Sequence, residues 1–281
     1  MTGEHHEPNG QRAFLHRLLR EGADRLGVSL IGDGAFGWRD RTIGSPVIRN
    51  GERFWLRATA ETQDWAQGDP WTGNRDAAGI SDVPKPHLVA RVEWEEPPVA
   101  MYVELMTYVP DQVCSSTPEL MRPLDAPDTW WRDLRSALDK LALHPTDRGE
   151  HSPEAVVREL EDLYARRLDL PRPPLRTEHT DLHWANLTSP RLCILDWEYW
   201  GSAPAGYGAA LLYFHSLLVP ETAEKVHQVF ADLLDTPSGQ VAQLSAAAHI
   251  LGRAHRVDDY AELQHPVRRH THRLLDAVER P

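Results

Sequence analysis

Three oxygen-bearing side chains stand within sixteen residues of one another: Asp181 and Asn186 in the run His179-Thr180-Asp181-Leu182-His183-Trp184-Ala185-Asn186, and Asp196 in Asp196-Trp197-Glu198. Asp181 and Asn186 share one short loop. Asp196 follows the apolar run Leu192-Cys193-Ile194-Leu195, expected to be a strand, so the three can converge on one cleft. The chemistry that needs such a set is phosphoryl transfer from ATP. One carboxylate accepts the proton of an attacking hydroxyl, and an Asn and an Asp hold Mg²⁺ on the donor phosphates as hard oxygen ligands.

The order and spacing resemble the protein-kinase-like superfamily. His, Asp, Leu and Asn of its H-R-D-L-x-x-x-N pattern all match here, with Thr180 at the Arg position. The closer resemblance is to the aminoglycoside phosphotransferase and choline kinase branch, where a His-x-Asp-x-His-x-x-Asn stretch precedes an Asp-Trp-Glu motif. That resemblance implies Asp181 as catalytic base, Asn186 and Asp196 as metal ligands, and His179 as a structural member of the loop. It also implies a nucleotide cofactor, ATP with GTP as the variant, together with Mg²⁺.

Gly32-Asp33-Gly34-Ala35-Phe36-Gly37 is a glycine-rich turn after an expected strand. Such a turn serves either a dinucleotide fold or the phosphate-covering loop of a kinase. A dinucleotide turn must open a helix, whereas residues 38–48 contain Gly44 and Pro46 and lead into a hairpin, which favours the kinase reading. Gly32, Gly34 and Gly37 are then the residues that let backbone amides approach the phosphates. A phosphate-binding cation is expected on the third strand, and Arg57 occupies that slot. The chain has three lysines, and Lys85, the one in the front part, is flanked by Pro84 and Pro86. The acidic partner of Arg57 is expected to be Asp76, Glu61 or Asp64. Met106-Thr107-Tyr108-Val109 resembles a hinge whose Thr107 and Val109 backbone groups would meet the adenine edge. Related families carry an Asp early in the helix after the metal-binding Asp, which ties down the catalytic loop. Here Gly208 follows Tyr207, so that tether is missing or supplied elsewhere.

Amphipathic spacing predicts a helix over 11–26 after a loose tail at 1–10, then strands over 28–31, 42–48, 53–59, 88–94 and 99–109. Asn50-Gly51 marks a tight hairpin, and a short helix is expected near 74–80. Beyond Pro110 helices are expected over 127–143, 153–168, 207–218, 221–234, 241–251 and 266–278. The fold class is thus α+β in two lobes, a small sheet lobe over 1–106 and a larger, mostly helical lobe over 107–281, and the resemblance implies that these are the two lobes of a protein-kinase-like fold.

Only about ten residues separate Asp196 from the next helix, and no Ala-Pro-Glu follows. A long peptide-docking segment is therefore absent, and the acceptor is expected to be a small hydroxylated molecule. Aminoglycoside-like, sugar and amino alcohol acceptors all qualify, cationic ones included. Trp184 and Trp200 are candidates to stack on it and Glu198 to hold a cation. The competing reading is a kinase-like protein that binds nucleotide or ligand without transferring phosphate.

The 281 residues carry a net charge of -12, with neither segment basic: -4 over residues 1–106 and -8 over the rest. A nucleic-acid partner needs the opposite field. Two cysteines make no disulfide framework and point to a reducing cytosol, a cytoplasmic location, and no membrane span is expected. Oligomeric state is not legible. The 15 histidines lack the cysteine partners and helical spacing of a structural zinc site, and His270 and His272 are expected on a solvated helix.

Overall fold

The computed structural model describes residues 8–149, 152–256 and 260–279. It divides into two compact units, the first formed by the chain through Ala78 plus Pro86–Pro110, the second by Gly79–Lys85 plus the chain from Asp111 onward. The segment from Gly79 to Lys85, read from sequence as part of the front lobe, therefore belongs with the back one.

The first unit contains α1 (Pro8–Leu26), β1 (Ser29–Leu30), β2 (Ala35–Phe36), β3 (Thr42–Arg49), β4 (Glu52–Thr62), α2 (Gly68–Asp76), β5 (Leu88–Glu96) and β6 (Val99–Thr107). The strands form one antiparallel sheet in the order β1-β3-β4-β6-β5, with β2 also on β3. Asn50 and Gly51 close the β3–β4 turn with φ of 52° and 84°, the left-handed pair a tight hairpin requires. Alternation along the strands sorts the two faces. Leu56, Ala58, Val103 and Leu105 bury completely with Leu15, Leu18, Leu19 and Ala23 of α1. The helix comes close because Gly22 has no side chain: a Cβ there would stand 2.5 Å from Val103. The opposite face carries Arg57, Tyr102 and Glu104. The helix α2 starts earlier than expected and packs Trp71 on Tyr102, with ring centres 4.6 Å apart.

The second unit contains β7 (Gln112–Val113), α3 (Asp128–Leu141), α4 (Pro153–Tyr164), β8 (Leu175–His179), β9 (Thr188–Ser189), β10 (Trp200–Pro204), α5 (Tyr207–His215), α6 (Pro220–Leu234), α7 (Pro237–Arg256) and α8 (Ala261–Val278). Ser152 caps α4 by accepting the Ala155 amide at 3.0 Å, and Pro153 opens its first turn. Pro266, read as a helix start, lies inside α8 instead. Leu263 and Val267 on either side of it are fully buried, and that packing outweighs the missing amide. His270 also departs from expectation: it turns inward onto Tyr213 and Phe214 and lies 3.0 Å from Gln243 Oε1. Among the described residues no helix is long and apolar enough to cross a membrane.

The expected strand over 192–195 reduces to one antiparallel bridge, Leu187 to Ile194. The regular pairing is made by β8 and β10, which sequence reading did not find, because Leu-Arg-Thr-Glu-His does not alternate and Trp-Gly-Ser-Ala-Pro holds two strand breakers.

Candidate active site

The loop after β8 is built from its ends inward. His179, fully buried, donates from Nε2 to the Leu195 carbonyl at 3.0 Å, so the start of the loop is fixed to the residue preceding Asp196. Leu195 donates its amide to the Asn186 carbonyl at 2.8 Å, next to the Leu187–Ile194 bridge. These bonds bring Asn186 and Asp196 to the same end of one short hairpin, although they are ten residues apart. Asp196 itself has φ of 58°, a left-handed conformation costly for a non-glycine residue and found where surrounding structure fixes a side chain's direction.

Asn186 donates from Nδ2 to the Asp181 carbonyl at 3.0 Å, with His183 Nε2 at 3.2 Å from the same nitrogen. Its Oδ1 is then the amide atom available to a cation. Asp181 lies between His183 Nε2, 3.6 Å from Oδ2, and Arg253 Nη1, 3.2 Å from Oδ1. Burial alone would raise the Asp181 pKa, but His183, Arg253 and His249 outweigh it and hold the carboxylate below its usual range. A carboxylate so placed stays ionised at any physiological pH. Arg253 was not anticipated, because it comes from α7, seventy-two residues downstream, and no local motif announces it.

The remaining expectations divide. Trp184 is wholly buried: its ring stacks on Trp130 at 6.3 Å and meets Trp131 edge-on at 6.1 Å, while Nε1 donates to Ser216 Oγ at 3.0 Å. Its indole is core and cannot stack on an acceptor. Trp200 is also buried, beneath the Arg148 guanidinium at 4.6 Å and beside Trp197. Glu198 is half-buried, and its carbonyl accepts from Arg148 Nη2 at 3.3 Å. Lys85, set aside in sequence because of its prolines, is buried with its ammonium 5.7 Å from the Trp197 ring, and that burial lowers its pKa.

In the first unit, Gly32 and Gly34 have φ of 81° and 86°, and a short 3-10 turn over Trp38–Asp40 follows Gly37. No dinucleotide-type helix opens there. Gly34 has a packing role as well, since a Cβ would press Leu19 and Ile43 at 3.1 and 3.2 Å. Arg57 faces Glu104 across the β4–β6 ladder, and Glu104 faces Arg91 across β6–β5, forming a cation–anion–cation row. Glu104, fully buried, accepts from Arg91 Nη1 at 2.6 Å and from Asn74 Nδ2 of α2 at 2.8 Å. Glu104, from a strand, thus lies opposite Arg57 in register, and α2 contributes the Asn74 amide to it. Of the acids expected beside Arg57, Glu61 pairs with Arg41 at 2.6 Å. The Thr107 amide donates to the His87 carbonyl at 2.9 Å, so a contact from Thr107 to a base edge would use its carbonyl.

Acid sensitivity follows from the imidazoles. Burial lowers His179 and His270 to about 4 and His215 to about 3, and the last has a buried Nε2 with no hydrogen-bond partner. Histidines in the unfolded chain take up protons near 6.5, so between there and pH 4 the unfolded state binds more protons and stability falls on acidification. Glu178, raised by burial to about 7, acts in the opposite direction between its unfolded value and 7. Three groups oppose one, so the urea midpoint is expected to drop as pH is lowered from 6.5 to 4.5. A level or rising midpoint would contradict the buried neutral imidazoles.

No family model matches the sequence and no curated protein matches it. Solved structures do match. The apo form of a thermostable mutant of aminoglycoside phosphotransferase APH(4)-Ia aligns with a TM-score of 0.61 at 12% identity, covering 92% of this chain and 98% of that one. Its ternary complex with AMP-PNP and hygromycin B aligns at 0.61 and 14% identity, over 89% and 96%. The alignments run along nearly the whole length of both chains, and the fold of this protein is that of the aminoglycoside phosphotransferases.

Proposed function

We propose that this protein is a phosphotransferase that moves the γ-phosphoryl group of Mg²⁺-ATP to a hydroxyl of a small, antibiotic-like molecule. The observation that carries the reading is the Asn186 amide. Its nitrogen is committed to the Asp181 carbonyl, which leaves its oxygen as the atom to offer a cation, and the Leu195 amide bonded to the Asn186 carbonyl brings Asp196 to the same end of the hairpin. An amide oxygen and a carboxylate are the hard donors Mg²⁺ takes, and two protein ligands are the usual number when phosphates supply others. The solved structures of similar fold support the same reading, one of them being named as a complex with a nucleotide analogue and an antibiotic.

In this reading Asp181 accepts the hydrogen bond of the acceptor hydroxyl, orients it in line with the γ-phosphorus and takes its proton. Asn186 and Asp196 hold the cation, which when bound neutralises charge on the donor phosphates. Gly32, Gly34, Gly37 and Arg57 contribute phosphate contacts, and Thr107 and Val109 a base contact. His179 keeps the loop in register. The rate enhancement comes from positioning and charge neutralisation rather than covalent chemistry. The test is ADP release from Mg²⁺-ATP over a panel of hydroxylated compounds beginning with hygromycin B, with the product weighed for an added phosphoryl group. Thermal stabilisation by Mg²⁺-ATP with no ADP release from any compound would favour a nucleotide-binding protein without transfer.

A further inference from the structure

Glu178 is the last residue of β8 before His179, and its side chain is turned away from solvent into the start of α5. It is 6% exposed. Its Oε1 accepts the Gly206 amide at 2.8 Å and its Oε2 accepts the Gly208 amide at 3.1 Å. These amides belong to the opening turn of the helix, where donors have no partner within the helix and carry partial positive charge, so a buried carboxylate is well matched to them. Position 208 must be small for this contact. A Cβ there would stand 3.1 Å from Glu178 Oε2 and 3.5 Å from both the His179 carbonyl and Leu182 Cδ2. The first turn of α5 therefore rests directly on the backbone of the loop that carries Asp181, and Glu178 is its anchor.

We propose that Glu178 is the positioning residue of the catalytic loop, clamping β8 and His179 to the first amides of α5 and so fixing the direction of Asp181. The tether expected from a helix-side Asp runs here in reverse, from a strand carboxylate to helix amides, and Gly208 is the space that admits it. The proposal rests on the phosphotransferase reading for its catalytic consequence, but the clamp itself can be observed without turnover. The measurement, made at about pH 8 where Glu178, raised by burial to about 7, is ionised, is hydrogen–deuterium exchange over residues 179–186 of the full chain, alongside ADP release from Mg²⁺-ATP with hygromycin B present. Glu178→Gln keeps the shape yet can accept from only one of the two amides. Exchange is expected to rise about tenfold, as for loss of one charge-assisted hydrogen bond, and kcat to fall by a similar factor with KM for ATP within about twofold. Restoring a carboxylate from the other side, in Glu178→Ala/Gly208→Asp, is expected to return exchange and kcat toward wild type, which general destabilisation would not do. Glu178→Asp serves in place of Glu178→Gln if that variant fails to fold. Unchanged exchange in the single variant, or a KM effect with kcat intact, would overturn the clamp. Absence of phosphoryl transfer by the wild type would sink the activity reading and leave the exchange test standing.

Discussion

Asp181→Ala is expected to lower phosphoryl transfer by on the order of 10²–10⁴-fold, the usual contribution of a positioned acid or base, while Mg²⁺-ATP still binds. The carboxylate holds no cation in the proposed mechanism, so its removal should appear in kcat and not in nucleotide affinity. The substitution also leaves Arg253 without the Oδ1 it contacts at 3.2 Å. Asp181→Asn separates the two effects, since it retains an acceptor oxygen for Arg253 but loses the charge and the basicity. Both variants are expected to be slow. A rate near wild type in either would remove Asp181 from the chemistry, and a collapse of Mg²⁺-ATP binding would make it a ligand instead.

Trp184→Ala is expected to destabilise the second unit by about 3–5 kcal/mol, the range for deleting a large buried aromatic. The ring is fully buried among Trp130 and Trp131, and its Nε1 bonds Ser216 at the end of α5. It lies in the 3-10 turn over Trp184–Asn186, so the same core that stabilises the unit holds the base of the amide proposed to bind the cation. Trp184→Phe retains a packed ring and loses the Ser216 bond, for a cost of about 1 kcal/mol plus the lost ring area. Urea unfolding distinguishes the two. A small loss for Trp184→Ala would mean that the indole faces an open surface, the other reading the sequence allows.

That reversal shows where sequence reasoning stops. The loop motif was legible because its residues are local: His179, Asp181, Asn186 and Asp196 lie within eighteen positions, and one imidazole-to-carbonyl bond and one backbone bond bring them together. The strands of the first unit were legible as short β-branched and aromatic runs separated by Gly, Asn and Pro, and the Asn50-Gly51 turn from its need for positive φ. What could not be read is what distant segments supply. Arg253 reaches Asp181 from α7, Glu104 stands beside Arg57 through strand register, and Gly79–Lys85 leaves its neighbours in sequence for the other unit. A tryptophan beside a functional loop gives no sign in sequence of whether it faces a ligand or the core. Here Trp130 and Trp131, more than fifty residues earlier, decide it.

The indole cluster also makes the loop optically visible. Trp130, Trp131 and Trp184 have ring centres 5.1 to 6.3 Å apart, two of them nearly parallel at 19°. Transition dipoles this close couple, so the cluster should give an exciton couplet in circular dichroism that isolated indoles lack. Because Trp184 sits two residues from Asn186, a shift of the turn would change that couplet, and loop movement could be followed with no attached dye.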